Sequence, residues 1–455
     1  MKVVDMGDIL RDALNACSFQ SGLEADDPWR VDLHALGVRG RDFDPMIRLQ
    51  TVIQTADKPT QQLFSGFIGS GKSTELKRLA ANLRNDDYTV VFVDSEDYLN
   101  LNVPPRVNDL LATVAAGVDK FIQEDCRNGI AGPFKSYWER FRGLIGSGIE
   151  VEGLAISVPA VGELGLKLKQ DVTLKARIYS YLERSGRLSD LAQACHDFLG
   201  EVIPVIANAR PDHKGLVVII DTFEKVRPTD LRQTEEVRQA VETIFIRDWK
   251  WLQLPCHVVY TVPSWLTFYE FGTGVDRVCI LPMCRLMDRK TGKPVPAGFA
   301  AMREIIEKRM PMDQVFSDAG TLDTLIEASG GYPRDLLRMM REVLLSAAMK
   351  KISPPIPPDI LTQLVEEVIR DQVRVYDKPI YDDDLPLLVE VARARDVPRA
   401  TRTQAFRLAE LFDHHFVLGY RNGEEWYDLH PLVRRSPKVQ AALKQAHGKK
   451  AKQQE

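Results

Sequence analysis

Apolar residues along the chain follow two patterns, and the alternation between them predicts the elements. The run QQLFSGF leads into glycines, and STELKRLAANL behind it places Leu76, Leu79, Ala80 and Leu83 on one helical face. YTVVFVD, GLVVIID, CHVVYTV and RVCILPM are apolar almost throughout, as strands buried on both faces of a parallel sheet are. A long helix is expected over Leu188–Ala209, just before GLVVIID. Strand, glycine loop, helix and strand in that order predict a right-handed βαβ unit. Its repetition predicts an α/β fold built on a doubly wound parallel sheet.

The pattern changes at several places and suggests boundaries. Residues 1–35 are mixed, carry an acidic Pro-containing stretch, and look like an N-terminal lead-in segment. A core domain is expected over 36–298. It is interrupted at 129–175 by a Gly-punctuated stretch, in part alternating, that reads as an inserted β-rich excursion. Residues 299–355 are helical in pattern and form a candidate helical lid, ending in a Pro-rich boundary. Within 356–440 two helices are followed by FVLGYRNGEEWYDLH, a hairpin with Asn422–Gly423 at its turn. Helix, helix, ribbon is the order of a winged helix-turn-helix. The polar, Lys-rich tail over 441–455 is expected to be disordered.

Composition narrows the class. Of 455 residues, 44% are hydrophobic and 27% charged, the balance of a globular protein with ample core. The net charge of -4 means that any nucleic-acid contact must come from a local patch. The 6 cysteines form no C-x-x-C pair, which argues against a zinc site or disulfide framework and favours a reducing, cytoplasmic setting. No signal peptide is expected, and no window approaches about 18 consecutive apolar residues, so no membrane span is expected.

The strongest chemical signal is GFIGSGKS, which satisfies G-x-x-x-x-G-K-[ST]. Gly66, Gly69, Ser70 and Gly71 allow backbone N–H groups to converge on phosphate oxygens, together with Lys72, Ser73 and Thr74 at the start of the following helix. Lys72 is expected on the β- and γ-phosphates and Ser73 on Mg²⁺, so the cofactors expected are ATP and Mg²⁺. GLVVIID ends in Asp221, the position for a carboxylate holding the metal's shell; a strand-end cap is the alternative. Thr222 follows it, and the next acid is Glu224. Either Glu224 polarises the attacking water, or hydrolysis is slow and the protein is a switch. Thr261 and Ser264 end another strand and can touch the γ-phosphate, or serve as a strand residue and a helix cap. Arg277 is a candidate arginine finger toward a neighbouring subunit, or a surface arginine. Arg334, at a helix start after Gly-Gly-x-Pro, puts a cation where a helix disfavours one, which an anionic ligand would explain.

These pieces together resemble the AAA+/STAND superfamily of P-loop ATPases, in the branch with origin-recognition-like architecture. The resemblance rests on GVRGRDFDPMIRL, on GFIGSGKSTELKRL, on GGYPRDLLR and on the C-terminal winged-helix pattern, and covers roughly residues 36–435. It implies an adenine-side box carried by Gly40, Arg41 and Asp42, and a lid sensor carried by Arg334. Thr222 departs from relatives with an acidic pair at that place. The resemblance implies an ATP-binding, ATP-hydrolysing molecular switch that homo-oligomerises and controls a separate effector protein, in bacterial anti-phage defence or signalling. The alternative is a DNA-associated ATPase of the replication or transposition loader type. Arg393, Arg395, Arg399, Arg402, Arg407 and Arg421 favour the alternative, while Glu424 and Glu425 on the wing oppose it.

Overall fold

The structure, a computed structural model, describes residues 6–18, 22–40, 43–125, 135–146, 148–151, 154–157, 159–210, 212–226, 234–268, 278–318, 320–397 and 402–451. The chain forms two compact units, each discontinuous in sequence. One comprises Met46–Ser65 and Arg78–Cys279, the other Met1–Pro45, Gly66–Lys77 and Ile280–Glu455.

Nine strands are described: β1 (Gln61–Gly66), β2 (Tyr88–Asp94), β3 (Gly148–Val151), β4 (Leu154–Ser157), β5 (Gly215–Asp221), β6 (His257–Val262), β7 (Cys279–Leu281), β8 (Val417–Asn422) and β9 (Glu424–Leu429). Five of them form one sheet in the order β2-β5-β6-β1-β7. The pairs β1–β6, β5–β6 and β2–β5 are parallel. The fold is therefore α/β, as the Val-rich runs predict. Leu216 to Ile220 of β5 are all buried, because a central strand covered on both faces needs apolar side chains in both directions. Parallel strands end on one edge of the sheet, and there the register sets Asp94 of β2 directly beside Asp221 of β5. The helix expected before β5 is present over Leu188–Ala209.

The β-rich excursion expected at 129–175 is mostly helical where it is described. β3 and β4 form a short antiparallel hairpin, and the helices Val161–Gln170 and Val172–Arg184 follow. Asp171 caps the second helix, its carboxylate accepting from the Leu174 N–H at 2.8 Å. Leu164 of the first helix, and Ile178 and Leu182 one turn apart on the second, are buried. Gly165 serves packing rather than a turn: a Cβ there would lie 2.6 Å from the Trp138 ring.

In the other unit, a helix over Met6–Ala16 packs on the helix Pro333–Met349 and buries Leu10 and Ala13. Residues 283–285 stitch three segments together. Met283 N–H donates to Gly419 O at 2.9 Å, Cys284 N–H to Gly331 O at 3.2 Å, and Arg285 N–H to Val38 O at 2.9 Å. The helices Leu385–Ala394 and Arg402–Asp413 precede an antiparallel β8–β9 ribbon whose turn holds Gly423 at φ 76. The tail expected to be disordered from 441 is helical to Ala451, within a helix beginning at Pro437. Ala, Lys and Gln are strong helix formers. The first turn is anchored by Lys438, whose ammonium donates to Ile380 O at 2.8 Å, and by buried Val439.

Candidate nucleotide site

The phosphate loop runs from Gly66 to Thr74 and opens the helix Lys72–Asn85. Gly69 (φ 88) and Gly71 (φ 100) adopt left-handed backbone that L side chains rarely take, which lets successive N–H groups turn inward. Lys72 is buried, and its ammonium donates to Gly66 O at 2.9 Å and Phe67 O at 3.0 Å. The amine is thus held inside the loop. Thr74 Oγ1 accepts from Leu23 N–H at 3.0 Å. Gly22 lies so close that a Cβ there would come within 2.8 Å of the Ser73 carbonyl carbon and Thr74 N. Lys77 donates to Gly22 O at 2.7 Å and pairs with Glu24. The segment 22–24 therefore covers the start of the helix, a role no local pattern in the sequence marks.

Arg41, expected near the adenine, lies outside the described residues. Arg39, two positions earlier, is the arginine at the loop. Only 2% of it is exposed; its guanidinium donates to Ser70 O and pairs with Glu75 at 3.4 Å. The planar fork suits a carbonyl and a carboxylate at once. The GVRGRD pattern drew attention to its second arginine, and only tertiary packing reveals the first.

The turn that starts the helix Pro333–Met349 reaches the same loop. Gly330 (φ 63) and Gly331 (φ 75) make the turn, and a Cβ at Gly331 would lie 2.8 Å from the Cys284 carbonyl carbon. Pro333 then starts the helix that carries Arg334. The Arg334 side chain packs against Gly69 so closely that a Cβ on that glycine would lie 2.6 Å from Arg334 Cδ. Tyr332 O–H donates to Ile68 O. Phe67 stacks on Phe412 of the helix Arg402–Asp413, with centroids 5.5 Å apart and planes 13° apart. His415 lies 6.0 Å from the Phe67 ring and stacks on Tyr332 at 5.1 Å. The two apolar residues that follow Gly66 are thus held by the lid turn and the helix–ribbon module.

In the sheet unit, the candidates gather at the carboxyl ends of the strands. Asp221 ends β5, and its Oδ1 accepts from Thr222 N–H at 2.8 Å. Thr222 is left-handed at φ 66, an outlier for a β-branched residue. Its hydroxyl donates to Asp94 Oδ1. Thr261, on β6, accepts from Phe223 N–H at 3.2 Å through Oγ1, so it tethers the turn that carries Glu224. Glu224 is buried on the one-turn helix Phe223–Lys225. Ser264 opens the turn Ser264–Phe268, where its carbonyl accepts from Thr267. Arg277 lies outside the described residues. Asp94 was not singled out from the sequence, although it ends an apolar strand just as Asp221 does.

Ser73 and Asp221 offer a hydroxyl and a carboxylate, hard oxygen donors of the kind Mg²⁺ takes. Among the described residues no group of three or more His, Cys, Asp or Glu could hold a metal alone. Mg²⁺ bound largely through substrate phosphates needs only one or two protein ligands, and each of these two residues carries a suitable donor.

No protein-family model matches the sequence, and no curated protein matches it. Solved structures align with most of the chain at low similarity. The ORC1 protein of Aeropyrum pernix in complex with DNA is 14% identical, with 88% of this chain and 91% of that chain covered and a TM-score of 0.36. Drosophila ORC bound to DNA is 11% identical over 95% and 91%, with a TM-score of 0.40. The Thermotoga maritima RuvB Holliday junction branch migration motor is 12% identical over 89% and 94%, with a TM-score of 0.34. The fold is α/β on a five-stranded sheet, and no helix among the described residues is long and apolar enough to cross a membrane.

Proposed function

We propose that this chain is an ATP-hydrolysing molecular switch whose P-loop is read by its own lid and C-terminal helix–ribbon module, and which controls a separate partner. The observation that supports it is the seating of Phe67 on Phe412 and of Tyr332 on Ile68 O. A loop that must present its N–H groups to phosphate cannot move without moving what is stacked on it. In this reading the loop N–H groups from Gly69 to Thr74 and Lys72 hold the phosphates, Ser73 and Asp221 hold Mg²⁺, and Arg334 senses the γ-phosphate. Bound Mg²⁺ would neutralise charge developing on the phosphates. Thr261 fixes the turn after Asp221. Hydrogen exchange of 402–415 in the full chain tests the reading: protection should differ between the ATP- and ADP-loaded protein, and identical exchange in both would contradict it.

A second reading, a DNA-associated ATPase, is favoured by charge on the same module. Glu424 pairs with Arg289 at 3.5 Å and Glu425 with Arg421 at 3.0 Å, so the wing acids that oppose DNA are neutralised. Arg289, Lys290, Arg393 and Arg395 line one open cavity. Against it, Leu408, Ala409, Leu411 and Phe412 of the helix that would read a groove are buried, and Arg407 is committed to Glu410 at 3.0 Å. Duplex binding that weakens steeply with salt, and that Lys290→Glu with Arg393→Glu removes, would establish this reading; no binding at low salt would end it.

A further inference from the structure

Carbonyls of the phosphate loop are engaged one after another by donors of the protein itself. Lys72 donates to Gly66 O at 2.9 Å and to Phe67 O at 3.0 Å, the Tyr332 hydroxyl to Ile68 O, and the Arg39 guanidinium to Ser70 O. A trans peptide is planar, and its C=O and N–H point opposite ways. Holding the Ser70 carbonyl therefore aims the Gly71 N–H away from Arg39. Gly71 is where such aiming is needed. Its φ of 100 is open to glycine, and a residue without a Cβ also lets the peptide before it turn over at little cost. The guanidinium sits beside that peptide: a Cβ on Gly71 would lie 3.7 Å from Arg39 Nη2.

Arg39 is itself held. Its side chain is 2% exposed, and its Nη1 pairs at 3.4 Å with Glu75 on the first turn of the helix. Val38, just before it, is buried, and its carbonyl accepts from Arg285 N–H at 2.9 Å. Arg39, Ser70, Gly71, Glu75 and Arg285 all belong to one compact unit. We infer that Arg39 is the positioning residue of the phosphate loop, locking the Ser70–Gly71 peptide so that the Gly71 N–H faces away from the buried side as a phosphate donor. The inference rests on the proposed ATP binding. Gly71 gives the loop the freedom to reach this conformation, and Arg39 removes the freedom to leave it. A guanidinium so enclosed acts through the backbone that it holds, and its planar fork serves a carbonyl and a carboxylate together.

Titration of ATP with Mg²⁺ into the full chain, beside thermal unfolding without nucleotide, separates positioning from plain stability. Arg39→Met takes the cation from a buried carboxylate and should lower both the unfolding midpoint and the affinity. Arg39→Met combined with Glu75→Met removes both charges. Its midpoint should recover toward the wild type, because replacing a buried pair by apolar side chains is often neutral. Its affinity should stay at least about tenfold below the wild type, because Ser70 O remains unheld. Glu75→Gln keeps Arg39 and an acceptor oxygen for it, so it should bind ATP within about threefold of the wild type, whatever happens to its midpoint. Affinity in the double variant within about threefold of the wild type overturns the inference. So does a loss in Glu75→Gln as large as in the Arg39 variants, which would make the pair a stabilising contact alone. A wild-type chain that does not bind ATP overturns the reading of the loop itself, an outcome distinct from the others.

Discussion

Asp335, one residue beyond Arg334, is 3% exposed, and burial alone would raise its pKa. His430 at 3.2 Å, Arg338 at 3.1 Å and the Tyr376 hydroxyl at 2.7 Å instead hold it below its ordinary value of 3.8. A depressed carboxylate stabilises the fold fully above that ordinary value, and the stabilisation is lost as pH falls through the lower folded value. Asp335→Asn should therefore destabilise the chain by about 1–3 kcal/mol at neutral pH. Its unfolding midpoint should also lose part of the decline that the wild type shows on the acid side, and parallel declines in the two would contradict the assignment. Residues of this kind mark the limit of what sequence alone discloses. The loop and helix start around Lys72 and Ser73 are legible because their spacing is local. Arg39, Gly22 and Asp94 owe their roles to partners 31 to 128 positions away, and no local pattern announces such a partner.

At the scale of elements, legibility follows the strength of the period. The Val- and Ile-rich strands β2, β5 and β6 need apolar residues on both faces and leave no ambiguity, and the helix Leu188–Ala209 repeats its apolar positions over six turns' worth of chain, roughly as 3.6 residues per turn requires. The ribbon β8–β9 is fixed by Asn422–Gly423, whose glycine takes the left-handed conformation the turn needs. Where glycine served packing rather than turning, the pattern misled. Gly165 sits in a helix because Trp138 leaves no room for a side chain, and the stretch around it resembled strand and loop. The C-terminal helix misled in the opposite way: its composition is polar, but its first turn is anchored by Lys438 and Val439.

At the scale of the molecule, the two units are not segments of sequence. The phosphate loop, residues 66–77, belongs with the lid and the helix–ribbon module, while the strand before it and most of the helix after it belong with the sheet. A reading along the chain divides it at linkers, and could not foresee that Phe67 and Ile68 would be the residues that Phe412 and Tyr332 hold. That arrangement couples the loop to the turn at Tyr332 and to the helix–ribbon module, and the proposed switch rests on that coupling. The account depends first on ATP binding at Lys72. Calorimetric titration of ATP with Mg²⁺ into the full chain and into Lys72→Ala measures it directly. Saturable binding by the wild type with at least a tenfold weaker, or no, binding by the variant, a difference of about 1.4 kcal/mol or more, is the predicted result. Equal affinity in the two proteins would contradict it.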